Sequence, residues 1–427
     1  MRIALVSPYS WSYPGGVTRH IEALAEQLLA AGHDVRVLTP FDPADRRSAR
    51  LHRGVGPQPR ELAPHVVALG RTVGLPANGA ISNLAISPAA VFRLRDELRG
   101  GGFDVVHVHE PIAPAISWDA VGVARAPLVG TFHTYSTNRL TNNLGNLAGA
   151  ARRFNRLHVR IAVSPAAAWT GERFFGGRYR VIPNGVTVPL RLSREPARAP
   201  SEERPLRLAF VGQAVERKGL PVALRAFEAL RERIPAVLDL VGVEPAQLGT
   251  MTTAGALGVR ALGKVDDAEK TAILALADLL VAPSLGGESF GMILTEAFAV
   301  GTPVVASDIA GYRDVVSDGV DGVLFPRADA DALARTLLAL AGDPALRERM
   351  SADAARRARD FAWPLVAGQV LAAYEDAIAM PTPGGRVATT AVRLGVRSAD
   401  AGPRARARRR LESLERDRRP PAASVEV

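Results

Sequence analysis

The stretch DLLVAPSLGGESFGMILTEAFAVGTPVVASD, residues 278–308, contains the plan of the chain in miniature. An apolar run, DLLVAPS, enters a glycine-rich loop, LGGESFG. A helical pattern, MILTEAFA, follows, stops at Gly301, and leads into a second apolar run, PVVASD. Apolar runs without polar alternation read as strands buried on both faces, and two of them joined through a helix make a parallel βαβ unit. Open sheets of such units bind ligands beyond the C-terminal ends of their strands. The loop therefore lies at a binding edge, with Glu288 in it and Glu296 on the helix, which is expected to start near Phe290–Gly291. First-turn amides, here those of Phe290, Gly291, Met292 and Ile293, point out of a helix and suit a phosphate. Two carboxylates beside them suit sugar hydroxyls. A nucleotide sugar, a diphosphate flanked by two sugars, meets all three demands. The alternative makes Glu288 a first-turn helix carboxylate and Glu296 a solvated side chain.

The same pattern runs outward in both directions. RIALVSPY, DVRVLTP, HVVALG, DVVHVHE, PLVGTF and RIAVSP read as strands in the first half, and LRLAFVG, AVLDLVG, VRALGKV, DLLVAPS and PVVASD in the second. Most are separated by helical stretches with apolar residues three and four apart. The charged, proline-containing segment 191–205 has no periodicity and reads as a linker. The expected fold class is α/β, with two tandem doubly wound, Rossmann-like domains facing each other across an interdomain cleft. Residues 1–190 are expected to form an N-terminal domain and 206–360 a C-terminal one, respectively the acceptor-binding and nucleotide-sugar-binding halves that the family resemblance of the motifs below implies. Residues 361–380 form one last helix that packs back toward the N-terminal domain, and 381–427 a basic, disordered tail.

Composition limits the function classes. The chain has 427 residues, 47% hydrophobic, and no cysteine, so thiolate metal sites, thiol nucleophiles and disulfides are excluded and a reducing, cytoplasmic setting is expected. The opening MRIALVSPYS is too brief for a signal-peptide core, and no stretch approaches a transmembrane helix. Residues 381–427 hold eleven arginines against five acids, +6 of the total +10, so the basicity does not argue for nucleic acid on the folded part. Only three lysines occur, Lys218, Lys264 and Lys270, all in the second half.

Other motifs fall at predicted strand ends. PGGV (14–17) joins the first strand to a helix, and its glycines let backbone approach a phosphate; a plain tight turn is the alternative. ERKG (216–219) places Arg217 and Lys218 where a cationic pair can neutralise a diphosphate leaving group, or where a loop simply carries solvated charge. GTFHT ends a strand at His133. His107 and His109 alternate along DVVHVHE and share a face, with Glu110 at the strand end. The one Asp-x-Asp, Asp329–Ala330–Asp331, reads as a helix cap, so no residue is assigned to a metal.

With these motifs together, GGESFGMILTEAFAVGTPVVASD resembles the Glu-x7-Glu motif of family 4 glycosyltransferases with the GT-B fold. SPYSWSYPGGVTRHIEALAEQL, FDVVHVHEP, GTFHTYST, VIPNGV, RKG and LGKVDDAEK extend the resemblance over residues 1–380 to the bacterial phosphatidylinositol mannosyltransferases. The resemblance implies that Glu288 contacts the donor sugar and Glu296 the nucleotide ribose. It also implies that Gly16 gives an amide to the diphosphate, that Val265 and Lys270 belong to a base-binding segment, and that His133 stands at the reacting sugar and acceptor. Gln213 occupies the place of a family arginine. On the acceptor side, Tyr9, His109, His133, Asn138 and Arg139 are the candidates; Asn138, Asn83 and Ser12 replace a lysine, an arginine and an aspartate of the family.

The sequence thus points to a retaining, metal-independent hexosyltransferase. It would move mannose from GDP-mannose to a hydroxyl of a lipid-linked or soluble glycan or polyol, with no cofactor beyond the nucleotide-sugar co-substrate. Candidate catalytic residues are His133 and Glu288. Candidate donor-binding residues are Gly16, Arg217, Lys218, Val265, Lys270, Glu288, Phe290, Gly291, Met292, Ile293 and Glu296. An anionic membrane surface is a further expected partner, met by arginines beside Phe92, Phe154 and Leu157 on the inner face of the plasma membrane. The other reading is a catalytically weak or inactive protein that binds nucleotide sugar or a lipid headgroup.

Overall fold

The computed structural model describes residues 1–77, 80–190, 194–248, 257–381, 385–400, 407–408 and 413–414. The chain divides into two compact units. One is Met1–Thr187 with Phe361–Arg410, and the other is Val188–Asp360 with Leu411–Val427.

The strands of the first unit, in chain order, are β1 (Arg2–Val6), β2 (Asp34–Thr39), β3 (Val66–Ala68), β4 (Val73–Ala77), β5 (Ala80–Leu84), β6 (Val105–His109), β7 (Leu128–Phe132), β8 (Val159–Ala162) and β9 (Arg180–Val181). Seven of them form a parallel sheet in the order β3-β2-β1-β6-β7-β8-β9. Successive side chains point to opposite faces, and both faces are covered. Ile3, Leu5, Val105, Val129 and Ile161 pack in one buried cluster with Ile21 and Leu24 of the helix Gly16–Ala30 and Val366, Val370 and Tyr374 of the helix Trp363–Ala379. Ala4, Val6, Val106, Val108 and Leu128 turn the other way, onto the helices Pro88–Gly100 and Ile116–Val123. Double coverage is why these strands read as continuous apolar runs. The sequence reading did not foresee the antiparallel hairpin of β4 and β5, whose strands VGLPA and AISNL carry glycine, proline and no sustained apolar run.

The second unit contains β10 (Leu206–Val211), β11 (Ala236–Val241), β12 (Val259–Gly263), β13 (Leu279–Ala282), β14 (Val304–Ser307) and β15 (Gly322–Phe325). They form a six-stranded parallel sheet in the order β12-β11-β10-β13-β14-β15. Leu208, Phe210, Leu238, Val281 and Val305 pack with Leu224 and Phe227 of the helix Leu220–Arg231 and with Leu333 and Leu337 of the helix Ala330–Gly342. Each such fully buried side chain contributes about 1.5–3 kcal/mol. Asp329 caps the Ala330–Gly342 helix through the Ala332 amide, so the Asp-x-Asp is a cap. Arg194, in the segment read as a linker, donates to Thr302 Oγ1 and to the Ala277 carbonyl, both at 2.7 Å.

Two surface expectations change. Residues 386–393, placed in a disordered tail, form the helix Arg386–Arg393. The chain after it is held on the first unit by Arg152 Nε to the Leu394 carbonyl at 2.6 Å and by the Ala399 amide to the Asn155 carbonyl at 2.8 Å. Arginine-rich composition hid this, because on the tail side the contacts are made by backbone groups, the Leu394 carbonyl and the Ala399 amide, that any side chain could accompany. Phe154 and Leu157, expected on a membrane face, are core residues at 1% and 0% exposure, while Arg153 beside them stacks on Trp118.

Gly219 links fold to site. It closes the Glu216–Lys218 turn in the left-handed region, φ 68°, and a Cβ there would lie 1.9 Å from the Pro283 carbonyl oxygen at the end of β13. Gly219→Ala is expected to cost about 1–3 kcal/mol from backbone strain, with further loss from the clash. Differential scanning calorimetry would show a lowered melting transition, and an unchanged one would contradict this account of the turn.

Candidate active site

In a doubly wound sheet, connections leave the strands on opposite sides wherever strand order reverses, and a crevice opens at the C-terminal edge. Reversal occurs between β10 and β13 in the second unit and between β1 and β6 in the first. Arg217, Lys218 and Glu288 lie at the first of these places, and Gly16 and His109 near the second.

In the second unit, the loop after β10 supplies Arg217 and Lys218, and the loop after β13 supplies Glu288. Glu288 Oε1 lies 2.6 Å from Arg217 Nη1 and 2.8 Å from Lys218 Nζ, and the carboxylate side chain is 12% exposed. Ser284 Oγ lies at 3.4 Å from the same oxygen and at 2.8 Å from the Tyr312 hydroxyl. Burial alone would raise the Glu288 carboxyl, but Lys218 and Arg217 more than offset it and hold the group below its ordinary range. The backbone beneath is tightly packed, because a Cβ on Gly311 would fall 2.2 Å from the Glu288 carbonyl oxygen. Ser284, Tyr312 and Gly311 had no sequence signal, since their role is to shape another residue's loop.

The following helix is Met292–Ala299, so it starts slightly later than expected, with Gly291 as N-cap in the left-handed region. No side chain caps it, and none caps the helix Gly16–Ala30 behind Gly15. Helices starting after Asp45, Ser87, Asn138, Ser164 and Asp266 are all capped by those side chains. The amides of Met292 and Ile293, and of Gly16, therefore belong to helix starts with no side-chain acceptor in place. Phe290 is buried at 3% exposure. Glu296 Oε2 meets Lys270 Nζ at 2.7 Å, and Lys270 also reaches Asp267 at 3.1 Å. Val265 is half-buried just after β12, and Gln213 is exposed after β10.

In the first unit, β6 and β7 bring histidines together with one from the Gly16–Ala30 helix. His109 Nδ1 lies 3.0 Å from His133 Nε2, and the His20 ring centroid lies 5.1 Å from that of His133. His107 is held by Tyr374 Oη and Thr131 Oγ1, each at 2.7 Å. Burial lowers all four: His20 to about 4, His107 to about 3, and His109 and His133 well below the ordinary value. These are neutral imidazoles. Glu110 accepts from the His133 amide at 3.1 Å and from Thr134 Oγ1 at 2.9 Å; burial pushes its carboxyl up to about 7 against these two bonds. Its φ of 47° is unusual for a residue with a side chain. His20 went unnoticed in the sequence because it sits on an ordinary amphipathic helix.

The remaining acceptor candidates are dispersed. Tyr9 is half-buried after β1, and burial and Glu110 raise its phenol. Asn138 caps the helix Arg139–Leu147 through the Leu140 and Thr141 amides, a structural use of its side chain. Arg139 is exposed and lines a cavity of about 710 Å³ with Asn143, Asn146, Leu147 and Arg173. Ser12 is fully buried, its hydroxyl accepting from the Asp42 amide at 3.1 Å.

Residues 14–188 match the family described as Glycosyltransferase Family 4, and residues 193–357 match Glycosyl transferases group 1. The chain is 40% identical over 379 residues to the phosphatidyl-myo-inositol mannosyltransferase of Mycobacterium leprae (strain TN), spanning 88% of this chain and 96% of that one. It is 38% identical over 379 residues to the protein of the same name from Mycolicibacterium smegmatis, spanning 88% and 94%. Among solved structures, the sucrose-phosphate synthase of Thermosynechococcus elongatus shares the fold, with a TM-score of 0.66 at 21% identity over 88% of this chain and 98% of that one. The chain belongs to the family 4 glycosyltransferases of the GT-B fold, enzymes that transfer a sugar from a nucleotide-sugar donor.

Proposed function

We propose that the chain transfers mannose from GDP-mannose, with retention of configuration, to a hydroxyl of a lipid-linked or soluble glycan or polyol. The observation that carries this reading is Glu288 bound by both Arg217 and Lys218 beside an uncapped helix start. Without donor, the carboxylate neutralises the two cations. A bound diphosphate takes them over, together with the Met292 and Ile293 amides, and Glu288 turns to the hydroxyls of the sugar. As the bond from the sugar's anomeric carbon to phosphate breaks, charge grows on the departing diphosphate. Preorganised cations and helix amides stabilise that charge most where it develops. The acceptor hydroxyl forms the new bond on the face the phosphate leaves and gives its proton to the departing phosphate oxygen.

Glu296, held by Lys270, receives the ribose hydroxyls, and Val265 and Lys270 belong to the base-binding segment. The resemblance of VDDAEK to that segment, and the name shared by the relatives, support guanine and mannose. On the first unit, His133 serves the transferred sugar and acceptor, with His109, Tyr9 and Arg139 on the acceptor side and Gly16 giving an amide to phosphate. A neutral imidazole can donate or accept there without adding charge.

Glu288→Gln is expected to lower transfer about 100-fold, the scale of a misplaced reacting group. Nucleotide affinity should stay within a few-fold, because both cations and the helix start remain. Isothermal titration with GDP beside steady-state turnover checks both halves, and a mutant with weak GDP binding but normal turnover of bound donor would reverse the assignment. A chelator should leave turnover intact, since side-chain cations and amides already face the diphosphate. Loss in chelator that magnesium or manganese restores would overturn this.

The membrane part of the reading moves to a new face. Leu140, Leu144 and Leu147 are 71%, 56% and 84% exposed at helical spacing on Arg139–Leu147, and Phe92 is 61% exposed beside Arg95. No helix among the described residues is long and apolar enough to cross a membrane. An anionic leaflet fits these leucines and the exposed Arg139, a charge near it contributing about 1 kcal/mol. Sedimentation with anionic vesicles should show binding that salt weakens and that Leu144→Asp reduces, with none to neutral vesicles. Binding indifferent to salt and lipid charge would reject the electrostatic component.

A further inference from the structure

The histidine cluster of the first unit contains an unmet chemical demand. A neutral imidazole has one N–H and one lone pair, and which nitrogen carries which is set by its partners. His109 uses Nδ1 on His133 Nε2. Whichever of the two owns that proton, His109 Nε2 is left over, either as a lone pair without a donor or as an N–H without an acceptor. That nitrogen is fully buried and has no hydrogen-bond partner, and the same is true of His20 Nδ1. Leaving such atoms unmet costs about 1–3 kcal/mol each. His20, His109 and His133 are 3%, 0% and 7% exposed, and each offers a ligand nitrogen within 4.8 Å of the other two.

We infer that His20, His109 and His133 form a site for a single divalent ion of the zinc class. Tetrahedral zinc, with Zn–N of about 2.0–2.1 Å, holds its ligand nitrogens about 3.4 Å apart, so modest side-chain rotations complete the site. When His109 carries its proton on Nδ1, its Nε2 lone pair is the free one, and on binding His133 gives up its bond to His109 so that its own Nε2 lone pair meets the ion. Three neutral imidazoles select Zn²⁺, Co²⁺, Ni²⁺ or Cu²⁺. They do not suit Mg²⁺ or Ca²⁺, which require oxygen ligands. His107 stays outside, because Tyr374 and Thr131 already satisfy both its nitrogens. Binding would draw His133 away from the sugar. That consequence rests on the role proposed for His133 above, so the ion is an inhibitor of transfer and not a cofactor.

The test uses the purified full chain, stripped with chelator and dialysed. Co²⁺ should give the visible absorption of a low-symmetry nitrogen-ligated ion, competed by Zn²⁺ and untouched by Mg²⁺. Zn²⁺ titration should show saturable binding that His20→Phe weakens by well over about 100-fold, beyond the roughly 10–100-fold that loss of an outer-shell partner costs. Circular dichroism establishes that the variant is folded. If it is not, the Co²⁺ spectrum of the unaltered chain decides alone, and an aqua-ion spectrum overturns the site. Equal zinc affinity in folded His20→Phe also overturns it. Micromolar Zn²⁺ should suppress transfer in the unaltered chain far more than in His20→Phe. Zinc bound at the site without loss of transfer upholds the site and counts against the part given to His133.

Discussion

Every strand of both large sheets is parallel, and this one constraint arranges the molecule. A parallel strand must be followed by a return across a face of the sheet, so each sheet is covered twice and its strands become apolar throughout. Loops at the C-terminal edge are then the places where polar side chains can stand without disturbing a core. The order reverses once in each sheet, between β1 and β6 and between β10 and β13, and only there do loops separate enough to admit a ligand. Glu288, Arg217 and Lys218 meet at one reversal, and His20, His109 and Glu110 cluster near the other.

The two sites solve their electrostatics in opposite ways. In the second unit, charge is kept and paired: Glu288 with Arg217 and Lys218, Glu296 with Lys270. A buried carboxylate needs such partners. Two of the chain's three lysines are spent in these pairs, and both glutamates belong to the motif. In the first unit, charge is removed. Four histidines are neutral through burial, and Glu110 titrates near neutrality for the same reason.

Much of this was legible in the chain itself. Apolar runs located the strands of both sheets with few omissions. Glycines beside strand ends marked the loops that carry Glu288, Arg217 and Lys218, which the structure joins in ion pairs. That was possible because each lies within a few residues of a strand end, and strand ends are local features of composition. The hairpin of β4 and β5 had no such signature. Nor did the helix Arg386–Arg393, whose following segment is anchored through its own backbone groups. The assignment of Phe154 and Leu157 to a surface failed for a related reason, since arginines beside them suggested exposure while those arginines in fact lie over Trp118 and neighbouring carbonyls.

What the sequence determined by itself is the periodicity, and with it two doubly wound sheets and the loops that carry charge, because these depend on neighbours along the chain. Only the tertiary structure decided which groups meet. That Glu288 takes two cations from a loop 71 residues away from Arg217 depends on β10 and β13 lying side by side. That Asn138 is spent as a helix cap depends on local backbone geometry its type permits but does not dictate. That His20 joins His109 and His133 depends on one helix crossing one face of the β6 strand end. Hydrophobic patterning is a property of a segment, whereas a hydrogen bond or ion pair between distant residues exists only once packing has set their separation to within an ångström.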